Sequence, residues 1–364
     1  MASLYETKSV GGGVKDVDCV FSGLFRKFER GGSNIFSPLS LEEALVVPYM
    51  GSDGDTQSVL AMEFNKVVPK EVSPIDFYSD FLNKQLTASG VVSIGNAIWV
   101  NNKTGFVANG PFVKSVEKLC RLESLPFDEK FQAIVDAFVN EKTKSMIKNG
   151  PKIDCADPTL CVIVLNTLFF EGMWVTPFSP AVEDNFMVGN GEIIKHPMMA
   201  VELTECKYYE DETMCAVELA YNHDFVMVVF LAKGKSLAVV DISDAKFSEV
   251  RRAMEVRCVD VLLPKFSAES TESMLEPLME LTYDKINGFY NKMGNCPLKI
   301  TAIIQQCKIE VNESGTRAAA VATVIEHRES FTPSILFKAD KPFTYRILHV
   351  PTAKVLFMGT YIGK

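Results

Sequence analysis

Two hydrophobic periods run through this chain, one helical and one strand-like, without a regular β-α-β-α alternation. Val17, Val20, Phe21, Leu24, Phe25 and Phe28 recur at helical spacing after Asp16 and stop at Gly31 and Gly32, which predicts an amphipathic helix closed by glycine. Ser40 with Glu43 reads as a capping box opening a second helix, and Pro48 is expected to end or kink that helix before Gly51. Residues 127–149 are helical in outline, carried by Ile134, Phe138, Thr143 and Ile147.

Between these lie runs of strand length. Residues 92–100 read as a strand carrying Asn96 and Trp99. Residues 160–170 (L-C-V-I-V-L-N-T-L-F-F) are apolar enough for a strand buried on both faces, interrupted by Asn166. A buried amide costs about 2–7 kcal/mol unless it is hydrogen-bonded, so Asn166 is expected in a polar network. Residues 225–232, 259–266 and 301–311 repeat the strand pattern, and 343–350 with 354–361 flank Pro351-Thr352 as a hairpin. Without a linker or repeat, residues 1–364 read as one α+β domain around a large sheet.

Residues 313–330 (E-S-G-T-R-A-A-A-V-A-T-V-I-E-H-R-E-S) fit neither period cleanly. A small-residue arm leads to a charged tip, Glu326-His327-Arg328-Glu329, and a polar loop ending at Pro333. Helix propensity at residues 318–322 competes with strand propensity at Thr323, Val324 and Ile325. On composition alone the stretch suits an ordinary loop or strand, although loops this long usually carry function.

Composition narrows the function classes. With 47% apolar and 23% charged residues the chain has the make-up of a soluble globular protein, and its net charge of −9 argues against general nucleic-acid binding. No window approaches a membrane span, and residues 1–15 lack a signal-peptide core, so a cytoplasmic location is expected, or export by an unconventional route. Nine cysteines without a C-x-x-C pair read as buried reduced thiols, with a Cys155–Cys161 disulfide the lesser alternative. Sequons stand at Asn102 and Asn312; a glycan on Asn312 would block burial of the stretch it precedes. No nucleophile elbow, phosphate loop or H-E-x-x-H occurs, and the four histidines (His196, His223, His327, His349) have no metal-ligand spacing. No enzyme activity, metal or cofactor is expected.

Motifs spread over more than three hundred residues resemble the serpin family: residues 34–40 (N-I-F-S-P-L-S), 51–56 (G-S-D-G-D-T), 166–174 (N-T-L-F-F-E-G-M-W) with Phe178, 217–221 (V-E-L-A-Y), 263–266 (L-P-K-F), 310–316 (E-V-N-E-S-G-T), Pro342-Phe343 and 356–359 (L-F-M-G). The resemblance implies three β-sheets, eight or nine helices and an exposed reactive-centre loop, here 313–333 with its hinge. It implies a monomeric suicide-substrate inhibitor whose partner is a serine protease, held as an acyl-enzyme while the loop arm enters the main sheet. Glu313, Ser314, Gly315, Thr316, Arg317, Ala318, Ala319, Ala320, Val321 and Ala322 then form the hinge and arm, with Thr316, Ala318, Ala320 and Ala322 on the inserting face. Ser37, Ser40 and Asn166 form a central polar cluster, in which Gln305 stands where the family usually has His, and Trp174 supports the upper sheet. Leu219-Ala220-Tyr221 replaces the more usual Leu-Pro-Tyr.

The family's usual spacing from the hinge glutamate places the attacked residue at Glu329, followed by Ser330. An arm one residue shorter places it at Arg328, followed by Glu329. Protease chemistry favours Arg328, because pockets with an acid at the base are common, and inhibition of a trypsin-like enzyme is expected. Inhibition of a Glu-selective or cysteine protease, or a non-inhibitory chaperone or carrier role, are the alternatives.

Overall fold

The computed structural model describes residues 19–28, 32–316 and 333–363. Its helices are α1 Val20–Gly23, α2 Pro38–Gly51, α3 Gly54–Val67, α4 Pro74–Asp76, α5 Asn83–Thr87, α6 Gly110–Val116, α7 Phe131–Lys142, α8 Asp244–Ala253 and α9 Leu275–Leu281. A π-helical stretch, Phe77–Leu82, joins α4 to α5, leaving eight helical bodies among the described residues.

Strands numbered along the chain divide between two sheets. The first contains β2 Val92–Asn101, β3 Arg121–Leu125, β4 Val162–Phe170, β5 Gly172–Met173, β11 Phe266–Ser273, β12 Ala302–Asn312 and β13 Gly315–Thr316, in the order β3-β2-β4-β12-β13-β5 with β11 also on β12. The second contains β1 Asn34–Phe36, β6 Val182–Met187, β7 Ile193–Glu210, β8 Met214–Ala220, β9 Phe225–Ala232, β10 Glu255–Pro264, β14 Ile335–Lys338, β15 Phe343–His349 and β16 Lys354–Tyr361. The far end of the long β7, from Lys207, pairs with β8; β6 pairs with its start, and β10 runs along its other edge from Met198 to Tyr208. The described strands thus form two hydrogen-bonded sheets where three are expected, because β7 joins β6, β10 and β14 to β8, β9, β15, β16 and β1 in one nine-stranded sheet.

Burial explains the core elements. All nine residues of β4 are buried, as its apolar run requires of a strand covered on both faces. Helix α2 packs against β2, β4 and β16, with every position except Tyr49 and Met50 buried.

Several local expectations change. Helix α2 starts at Pro38, not Ser40: Ser37 is the cap, its Oγ accepting the Ser40 amide at 3.2 Å. Pro38 suits the first turn, where its missing N–H has no helical partner to lose. Glu43 is no cap but a buried side chain, and the helix passes Pro48 to reach Gly51. Proline inside a helix costs roughly 3 kcal/mol, a loss that burial of so many apolar side chains of about 1.5–3 kcal/mol each offsets. The expected strand 259–266 breaks at Lys265, whose amide turns to Pro197 as the chain passes from β10 to β11. The expected helix 127–149 shortens to α7, beyond which Lys144 and Ser145 take left-handed φ. Asp16, Val17 and Gly31 lie outside the described residues. All nine cysteines are free, Cys155 and Cys161 included, and only Cys120, Cys206 and Cys307 are fully buried. No helix of the described residues is long and apolar enough to cross a membrane.

Candidate functional site at the seam of the first sheet

At its upper end β12 makes a tight turn through Glu313 and Ser314. Asn312 shapes it: its Oδ1 accepts the amides of Ser314 at 2.9 Å and Gly315 at 3.2 Å. The chain returns as β13, with Gly315 opposite Asn312 on one side and Met173 on the other, and Thr316 between Val311 and Gly172. Gly315 has φ +152°, and a Cβ there would run into the Gly172 carbonyl oxygen, so only glycine allows so close an approach.

Thr316 is wholly buried, its hydroxyl 2.7 Å from that of Tyr221. Burial raises the Tyr221 phenol well above its ordinary range, so it meets Thr316 as a neutral hydroxyl. Tyr221 stacks on Trp174 with ring centroids 4.0 Å apart, and Trp174 Nε1 donates to the Asn312 carbonyl at 3.0 Å. Glu313 anchors the outside of the turn, paired with Lys265 at 3.0 Å and accepting the Ala181 amide at 3.2 Å. Burial opposes its ionisation, but backbone hydrogen bonds and Lys265 prevail and hold its carboxyl below the usual range.

Below this wedge the sheet is closed. Strands β4 and β12 pair directly in parallel, from Ile163 with Ala302 to Leu168 with Cys307. A polar cluster crosses the seam there. Gln305 Nε2 donates to Asn166 Oδ1 at 3.0 Å and to the Ser37 carbonyl at 2.8 Å, while its Oε1 accepts the Ser37 amide at 2.9 Å. Ser40 Oγ donates to Asn166 Oδ1, and Asn166 Nδ2 donates to the Ser40 carbonyl at 2.7 Å and to Asn96 Oδ1 at 2.6 Å. A strand entering between β4 and β12 has to break both the ladder and this cluster.

The profile of the family described as Serpin (serine protease inhibitor) matches residues 23–363. The chain belongs to the serpin family. Among its relatives, human glia-derived nexin is 28% identical over 350 residues, covering 89% of this chain and 86% of that protein. Serine proteinase inhibitor 2 of rabbitpox virus is 25% identical over 346 residues, covering 91% of this chain and 94% of that protein. In fold, this serpin is similar to native protease nexin-1 with heparin (TM-score 0.79, 24% identity, 95% of this chain and 97% of that one). It is also similar to human thyroxine-binding globulin with its ligand (TM-score 0.82, 19% identity, 95% and 96%).

This serpin brings Ser37, Ser40, Asn166 and Gln305 into one hydrogen-bonded cluster, and places Trp174 at the top of β12, where it donates to the Asn312 carbonyl. Of the hinge and arm, Glu313, Ser314, Gly315 and Thr316 are described. Arg317, Ala318, Ala319, Ala320, Val321 and Ala322, and the bait residues Arg328, Glu329 and Ser330, lie outside the described residues. Sequence reasoning missed the part played by Tyr221 and by Lys265, each visible only as one letter of a family motif. It also missed Glu43, whose signal is two consecutive glutamates in an otherwise apolar helix. No group of three or more His, Cys, Asp or Glu able to hold a metal ion occurs among the described residues.

Proposed function

We propose that this serpin is a single-use inhibitor of a trypsin-like serine protease. The observation that carries the reading is the seating of Gly315 and Thr316 as a strand between β12 and β5, directly above the seam of β4 and β12. The residues that follow have side chains small enough to enter that seam: Ala318, Ala320 and Ala322 share the inserting face with Thr316.

On this reading the protease serine Oγ attacks the carbonyl carbon of Arg328. The Arg328–Glu329 amide breaks, the new Glu329 amine leaves with a proton, and an ester joins Arg328 to the serine. Insertion of the arm then outpaces hydrolysis of that ester and carries the protease away from its bait. The serpin is consumed rather than regenerated, so it is no enzyme; it needs no cofactor and works as a monomer in the cytoplasm.

The test is incubation with trypsin, a denaturing gel, and mass spectrometry of the released carboxy-terminal fragment. A detergent-stable complex with a fragment beginning at Glu329 is expected. A fragment beginning at Ser330 moves the bait to Glu329 and the target to a Glu-selective protease. Quantitative cleavage without a complex overturns inhibition altogether.

A further inference from the structure

The polar cluster does not end at the sheet. Helix α2 carries two adjacent buried glutamates, and their surroundings differ. Glu42 has a counter-ion, Lys354 Nζ at 2.7 Å, and accepts the Tyr78 hydroxyl at 2.5 Å. Glu43, only 1% exposed, has no ion-pair partner among the described residues. Its Oε2 is approached by the side-chain Nδ2 of Asn83 at 3.5 Å and of Asn96 at 3.4 Å, both long, and its Oε1 is buried without a partner. The side-chain oxygen of Asn83, Oδ1, is buried and unpartnered as well.

Two orphaned acceptors on neighbouring side chains lack one thing, a donor. A proton on Glu43 supplies it: an acid beside an amide makes a pair in which each residue donates once and accepts once. Glu43 also heads a continuous chain of hydrogen bonds. Asn96 donates to it and accepts from Asn166, which in turn accepts from Gln305 of β12. The chain thus runs from α2 through β2 and β4 to the far side of the seam.

We propose that Glu43 is a proton-operated latch on the seam between β4 and β12. Protonated, it lets α2, α5 and β2 close over a satisfied amide cluster. Ionised, it is a buried charge that has to draw in water, loosening Asn96 and Asn166 and easing the parting of the strands.

The charges around it agree. Burial is the largest influence and pushes the Glu43 carboxyl up to about 8; Glu42 on the same helix adds to the rise, and the hydrogen bonds from Asn83 and Asn96 and the charge of Lys354 of β16 only partly oppose it. Tyr78, from the π-helical stretch, is itself held neutral by burial and Glu42, and Asn83 and Asn96, from α5 and β2, carry no charge. Between the ordinary carboxylate range and about pH 8 the native state therefore holds a proton that the unfolded chain has lost. Its stability falls with rising pH across that window and levels off above it.

The test compares the intact protein with Glu43→Gln, which keeps shape and donor but cannot ionise. From about pH 6 to about pH 8 the wild type should lose about tenfold in the native-to-unfolded ratio per pH unit from this one group. Hydrogen exchange of β4 amides, taken relative to the intrinsic exchange rate at each pH, should quicken in parallel, and E43Q should lack both this slope and this quickening. A protonated-carboxyl infrared band that fades as pH rises through about 8, present in wild type and missing in E43Q, assigns the proton. Equal pH slopes in the two proteins overturn the proposal. If E43Q does not fold, the wild-type spectrum decides, and the lack of a fading carboxyl band overturns it. Neither readout involves a protease, so failure here is distinguishable from failure of the inhibitor reading.

Discussion

Thr316 is where one side chain decides between two outcomes. It is wholly buried and its hydroxyl meets that of Tyr221. Arginine in its place cannot enter without stripping a guanidinium of water, which costs several kcal/mol, and every ~1.4 kcal/mol added to the barrier slows insertion about tenfold. Thr316→Arg should therefore turn the inhibitor into a substrate, cleaved at the same bond while the gel complex disappears. Tyr221→Phe is the gentler probe. It removes one hydrogen bond worth about 0.5–1.5 kcal/mol and keeps the stacking on Trp174, so the complex should persist while the Thr316 amide exchanges faster with solvent. A lasting complex in the arginine variant would show that insertion at this position does not govern trapping.

Gln305 joins two elements, α2 at its cap and β12, to the strand across the seam. Replacing it with alanine takes away the Gln305 partner of the buried Ser37 amide, at about 1–3 kcal/mol, and leaves the Ser37 carbonyl with the Leu41 amide at 3.3 Å. Gln305→Ala should lower stability by about 1–3 kcal/mol, read as an earlier urea midpoint, and should speed exchange on β4 and β12 together. A loss confined to one of those strands would mean that the cluster does not bridge them. The elements also show what was legible in the sequence. The buried strand β4 was plain, because burial on both faces leaves a continuous apolar run, and its one amide announced a network. Partners were legible only through the family motif, since nothing local ties Asn166 to Gln305. Glu43 was misread because the Ser40–Glu43 spacing imitates a capping box; whether a glutamate caps a helix or is sealed under α5 and β2 is decided by chain far away in sequence. Pro48 misled for the same reason: local propensity argued for a break, and packing between the sheets overruled it.

For the molecule as a whole, the native arrangement is incomplete by design on the inhibitor reading. Two residues of an eventual strand, Gly315 and Thr316, occupy the top of the seam, and β4 and β12 close directly beneath them. Completing the strand gives up the parallel contact of β4 with β12 and replaces it with two new ladders, one on each side of the arm. If the added ladder contributes about ten hydrogen bonds at ~1 kcal/mol net, the gain is of order 10 kcal/mol. At roughly 2 °C per kcal/mol for a large domain, cleavage within residues 326–330 by a protease that is not trapped should raise the thermal midpoint by about 20 °C. Calorimetry before and after such a cut measures it directly. The same experiment on Thr316→Arg should give a smaller rise, because its arm enters against the cost of an arginine. A cut that leaves the midpoint of the wild-type protein unchanged would mean that its sheet does not take up the arm, and the chain would then be a serpin that does not trap proteases.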